Sequence, residues 1–156
     1  MKGSRTIQTY PAAHGFFDSI LPHELGHIVF REQIGLAPDV PLWFEEGVAM
    51  YQEKAKRWGA DTDVQNAITN NRFIPLPELS RVRLSQATDQ ETVFLFYAEA
   101  ASAVHFFISQ LGEFKFSLFC QNLKKGMPFD QALKESYYYF HDLPAFNKAW
   151  LGYLDK

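Results

Sequence analysis

A single cysteine, Cys120, occurs in the 156 residues, so no intrachain disulfide can form. Its place in a run of Phe and Leu marks it as a small core residue rather than a reactive thiol. Excess charge of one sign is also lacking. Fifteen Lys and Arg face 18 Asp and Glu, for a formal net charge of −3. No basic run and no glycine-rich loop after a strand is present, which leaves nucleic-acid and nucleotide partners without support. The apolar runs read as too short or too interrupted to form a transmembrane segment. Met1-Lys2-Gly3-Ser4 has no apolar stretch of the signal-peptide kind, so the sequence reads as intracellular, or as extracytoplasmic if a targeting segment has been removed. Strand signals are nearly missing: Thr6-Ile7-Gln8-Thr9-Tyr10 alternates weakly and ends at Pro11, and it is the one good strand candidate. No internal repeat and no low-complexity tract is visible.

What the chain does hold is apolar and aromatic mass, 47% hydrophobic and 16% aromatic, enough for one substantial core. The expected organisation is a single domain over 1–156. Residues 1–15 would form an edge strand and loop, 16–60 two site-bearing helices, and 61–156 a helical subdomain. From Phe16 onward the signals are helical. A first helix stops near Gly35, a second runs from the Pro41 turn to about Gly59, and a short third covers Asp61 to Asn70. Arg72 to Ser80, with Pro75 and Pro77, reads as an irregular packed loop. The longest helix lies between Glu91 and Gly112, where Val93, Tyr97, Ala100, Val104, Phe107 and Leu111 recur at three and four residues. Helices over Glu113–Lys125 and Phe129 to about Phe140 follow, with Gly126 as a stop signal, and Asp142 with Pro144 opens the last. The fold class is mainly α, with at most a small N-terminal strand.

The most informative segment is His23-Glu24-Leu25-Gly26-His27, followed after eighteen residues by Glu46. Imidazoles at i and i+4 share one helix face and can turn a ring nitrogen toward the same ion, with Glu24 beside them. The pattern reads as a zinc site of the catalytic kind: three protein ligands, a fourth position for water, and a Glu placed to take the water's proton. The surrounding helix, Ile20 to Ile34, is apolar almost all round and reads as buried. Two histidines and a glutamate there need partners, because an unpaired polar group inside a protein costs about 1–3 kcal/mol. A metal answers that need. Gly26 allows another backbone to come close, and with Asp18 or Ser19 as N-cap, Pro22 falls harmlessly in a first turn.

The downstream words Trp43-Phe44-Glu45-Glu46-Gly47-Val48-Ala49, placed eighteen residues after His-Glu-x-x-His, resemble the gluzincin zinc metallopeptidases, and within them the small peptidase MA-like families. The resemblance runs from about Phe16 to the C-terminus, with its specific content in the two segments around the ligands. It implies a zincin-like domain with one zinc ion per chain, His23, His27 and Glu46 as the ligands, and Glu24 as the general base. Glu45 is the nearest competitor of Glu46, but sits about 100° away around the helix. The implied reaction is hydrolysis of peptide bonds in a peptide or protein substrate. The resemblance also points to a later Tyr or His as oxyanion stabiliser. Tyr97 is the choice, with His105 and His14 as other options. The Gly-x-Met-Glu-Asn segment that holds a free amino terminus in related aminopeptidases is absent, which favours an endopeptidase. Relatives set a small twisted sheet beside the motif helix to hold an extended substrate by main-chain hydrogen bonds, and Thr6 to Tyr10 is the candidate for that role. Because most of such a sheet is missing here, the alternative is a zinc-bound, catalytically idle protein-interaction module of a larger protein.

Overall fold

The computed structural model describes residues 16–35, 40–53 and 59–156, and these are built from helices with no strand among them. The fold is mainly α, as the spacing of apolar residues predicts. The Thr6–Tyr10 strand and His14 lie outside the described residues.

Helix α1, Leu21–Ile34, does not start from a polar cap. A π-helical turn, Phe16–Ile20, leads directly into it, so Asp18 and Ser19 already belong to the helical run and neither serves as the expected cap. Pro22 has no N–H to offer the preceding turn, and a wider turn just upstream is one way for a helix to pass such a residue. At the other end, Gly35 takes a positive φ of 67° and its N–H bonds to Arg31 O at 2.9 Å. That is the glycine stop expected from the sequence.

Helix α2, Leu42–Tyr51, begins after Pro41 and stops well before Gly59. The reason is local: the N–H groups of Gln52 and Glu53 bond to Ala49 O and Met50 O, three residues back, and tighten the chain into a turn. Helix α3 covers Ala60–Thr69, and the segment expected to be irregular contains one helical turn, α4, Leu76–Leu79. Helix α5, Gln90–His105, is capped by Asp89, whose carboxylate accepts from the Thr92 N–H at 2.8 Å. It continues through a second π-helical turn, Phe106–Gln110. Helix α6 is Glu113–Lys124, with Gly126 at φ 86° just beyond it. Helix α7, Phe129–Ser136, ends before Phe140 because Tyr137 turns extended and buries its ring completely. Helix α8, Leu143–Leu154, is capped by Asp142, which accepts from Ala145 N–H at 2.8 Å.

The 21-residue helical run Gln90–Gln110 is, against expectation, long and apolar enough to pass as a membrane span by length and composition. Its residues are mostly buried inside this fold, however, and they include Glu99 and Ser102, both without exposed surface. A central helix of a helical domain meets the same test.

Helix α2 is the centre of the packing, lying against α1 on one side and α5 on the other. Its Phe44 is fully buried and meets the rings of Phe30, Phe107, Phe119 and Phe129, all within 5.7 Å. Trp43 beside it donates its indole N–H to Ser80 Oγ at 2.9 Å. Edge-to-face aromatic contacts of this kind fix ring orientation as well as burying area. Cys120 lies in the same core, and burial pushes its thiol up to about 12. Two glycines set the helix spacing. A Cβ on Gly26 would stand 2.8 Å from Ala49 Cα, and one on Gly47 would stand 2.4 Å from the Ala100 carbonyl oxygen. The expected all-round burial of α1 does not hold: the helix packs on α2 and α6, and among the described residues Leu25 and Val29 face outward.

Deep in α5, Glu99 has one carboxyl oxygen bonded to the Ile74 N–H at 2.8 Å and the other without a hydrogen-bond partner. Burial pushes its carboxyl up to about 8, against the opposing pull of that N–H.

Gly47→Ala is expected to lower Tm by roughly 4–10 °C, since the added methyl drives α2 off α5, whereas Gly152→Ala meets nothing within 4 Å and raises it by about 1–3 °C. Equal small effects in thermal melts would show that the α2–α5 spacing is not set by Gly47. Glu99 ionises near 4.5 when unfolded and near 8 when folded, so its share of stability is complete below about 4.5 and is lost as pH rises to about 8. Glu99→Gln is therefore expected to gain on the native protein across that window. Melting curves recorded at several pH values check this, and a gap that stays constant would rule it out.

Candidate metal centre

Three side chains from α1 and α2 converge. His23 Nε2 and His27 Nε2 are 3.1 Å apart, and Glu46 Oε2 stands 3.5 Å from the first and 3.6 Å from the second. The i, i+4 spacing on α1 brings the two imidazoles to one face, ring planes 85° apart, and the close approach at Gly26 lets α2 carry Glu46 up to them. A tetrahedral ion about 2.0–2.1 Å from each donor has donor–donor edges of roughly 3.3 Å. The observed triangle has that size, so His23, His27 and Glu46 could hold a metal ion. All three are at most one-fifth exposed.

Each imidazole is backed by a second carboxylate. His23 Nδ1 lies 2.8 Å from Glu53 Oε1, and the other ring nitrogen, Nε2, faces Glu46. Glu53 is buried, 1% exposed, and its other oxygen accepts from Ser19 Oγ on the π-helical turn. Behind His27, Glu45 Oε1 lies 3.5 Å from Nδ1 and is itself held by the Arg31 guanidinium at 2.7 and 2.8 Å. Glu45 and Glu46 therefore flank opposite nitrogens of one ring, as their 100° separation on the helix requires.

Charge follows the geometry. Glu45, then Glu46, raise His27 to about 9 although burial opposes them. Burial would raise Glu46, but hydrogen bonds from His23 and His27 hold it at about 2. Since a metal takes the neutral imidazole, binding an ion at His27 would release the proton that the raised ring favours.

A cleft of about 280 Å³ opens beside the cluster, lined by Ser19, Ile20, His23, Glu24, Glu53 and Tyr97. Glu24 is half-buried at its wall, beside the triangle of donors. Tyr97, expected on the core side of its helix, is half-buried and borders this cleft, and burial together with the charge of Glu46 raises its phenol. The structure thus brings together His23, Glu24, His27, Glu46 and Tyr97. His105 is placed elsewhere, stacked on Tyr51 with its Nδ1 3.7 Å from Asp61 Oδ2. Sequence reading missed Glu53 and the Arg31–Glu45 pair. Glu53 lies beyond the end of α2, in the turn formed by the Gln52 and Glu53 N–H bonds, so no helical spacing marks it in the sequence.

Fold and cluster define a class: a mainly helical domain whose two neighbouring central helices could hold one metal ion between them. Within that class, the chain belongs to the Peptidase MA superfamily, whose family model matches residues 6–156. No curated protein and no solved structure matches it.

Glu53→Ala is expected to weaken metal binding by about ten- to a hundredfold by freeing the His23 ring to rotate. Titration against a chromophoric zinc chelator measures it. An affinity equal to that of the unaltered chain would mean that Glu53 does not orient His23.

Proposed function

We propose that this chain is a zinc-dependent peptidase of the gluzincin type, cutting within peptide or protein chains. The observation that carries the reading is the convergence of His23, His27 and Glu46 at tetrahedral-edge distances with Glu24 beside them in an open cleft. Two imidazoles and one carboxylate are a donor set suited to zinc, with one ion per chain and a position left for water. Zinc bound there supplies Lewis acidity toward a water molecule and the scissile carbonyl.

The rest of the chemistry belongs to the chain. His23 and His27 present Nε2, the His23 ring held from behind by Glu53, with Glu45 near His27 Nδ1. Glu24 accepts the proton of the attacking water and returns it to the leaving amine, so one carboxylate serves both halves of the reaction. Tyr97 offers its hydroxyl to the oxyanion of the tetrahedral intermediate; its raised phenol keeps that proton available. A Tyr in an apolar face is more often mere packing, but this one borders the cleft that holds Glu24 and His23.

Glu24→Gln is expected to keep stoichiometric zinc and reduce turnover of a peptide library by at least about a hundredfold. Glu46→Ala loses the metal, and Tyr97→Phe keeps fold and metal while slowing turnover by about ten- to a hundredfold. Metal analysis and library cleavage by mass spectrometry check all three. Near-normal cleavage by Glu24→Gln would remove it as the base. Full zinc with no cleavage by the unaltered chain would return the protein to the reading of an idle interaction module.

A further inference from the structure

A second, larger cavity of about 360 Å³ also borders Tyr97. Its walls are Met50, Ala60, Phe94, Tyr97, Ala98 and Ala101, contributed by the end of α2, the start of α3 and the middle of α5. Tyr97 borders both this cavity and the cleft that holds His23 and Glu24. Met50, Ala60 and Ala101 pack together as a small apolar cluster of their own, with the Tyr97 ring laid against it.

Three observations point to what this cavity receives. Among the described residues its wall carries small side chains, Ala60, Ala98 and Ala101, each buried. At its edge Phe94 is 60% exposed, a large ring left in solvent on a helix that otherwise buries its apolar residues. Among the described residues that line it, the one charged group is Asp63. A carboxylate ligand would meet repulsion there, and a small polar one would leave most of the apolar wall unused.

We infer that this cavity is a specificity pocket that takes a large apolar side chain, aromatic or branched aliphatic, of a residue flanking the scissile bond, with Tyr97 as the wall shared between recognition and chemistry. The inference rests on the peptidase reading for the identity of the substrate as a peptide. A side chain seated against Met50 and Ala98 places the adjoining backbone past Tyr97 and into the cleft beside Glu24. Phe94 closes over the entrance and shields the seated group from water. Selectivity then comes from the loss of apolar contact when a small side chain replaces a large one, which is worth about ten- to a hundredfold.

The test uses binding, so that it does not depend on turnover. The zinc-loaded chain is titrated by calorimetry with two peptidyl hydroxamates that differ only in one side chain, benzyl or methyl. The benzyl compound is expected to bind at least about tenfold more tightly. Ala98→Leu, which fills the pocket, is expected to bring the ratio close to one, and Phe94→Ser, a change at an exposed position, to reduce it by several-fold. Chemical shifts of the Met50 methyl group on adding the benzyl compound locate the side chain. Equal affinity of the two hydroxamates, or a preference that survives Ala98→Leu with the Met50 signal unmoved, overturns the pocket. A strong benzyl preference in a chain that cuts no peptide leaves the pocket standing and removes the peptidase reading instead.

Discussion

Helix α2 has almost no room on either side. Gly26 lies against the backbone of Ala49, and Gly47 lies against the carbonyl of Ala100, so the spacing among α1, α2 and α5 is set by main chain touching main chain. The geometry of the candidate metal centre follows from that spacing. Glu46 can reach the two imidazoles because α2 is close to α1, and Tyr97 can border the cleft because α5 is close to α2. On the opposite face of the same helix, Phe44 is fixed among five other phenylalanine rings. One ten-residue helix therefore anchors the core with one side and orders three donors with the other.

That arrangement explains the order of carboxylates. Glu45, Glu46 and Glu53 all come from α2 or the turn that ends it, yet they do different things: Glu46 joins the donor triangle, and the other two stand behind the histidines. The tight turn after Tyr51 brings Glu53 and the π-helical turn before α1 brings Ser19 to the same place. Irregular helix ends are thus part of how the rings are held, because an uninterrupted helix in either position would aim those groups elsewhere.

Much of this was legible in the sequence, for identifiable reasons. The i, i+4 histidines and the Glu46 spacing are local geometry, and helix boundaries at Gly35, Gly126 and Asp142 carry glycine or capping chemistry. Other features were not legible because tertiary contacts decide them. Helix α2 ends early through main-chain bonds with no sequence marker, and α7 gives way at Tyr137 because that ring is drawn into the core. The placement of Tyr97 at the cleft depends on how α5 lies against α2, which periodicity alone does not fix. Leu25 and Val29 read as buried from their type and prove exposed among the described residues.

Cys120 has a practical consequence. Sulfur is the donor that most often competes with imidazole for soft divalent ions, and here the sole thiol is sealed in the core with its ionisation held up at about 12. A reporter cysteine placed anywhere on the surface would therefore react without a background, and spectroscopic labels or crosslinkers could follow the protein while its native sulfur stays silent.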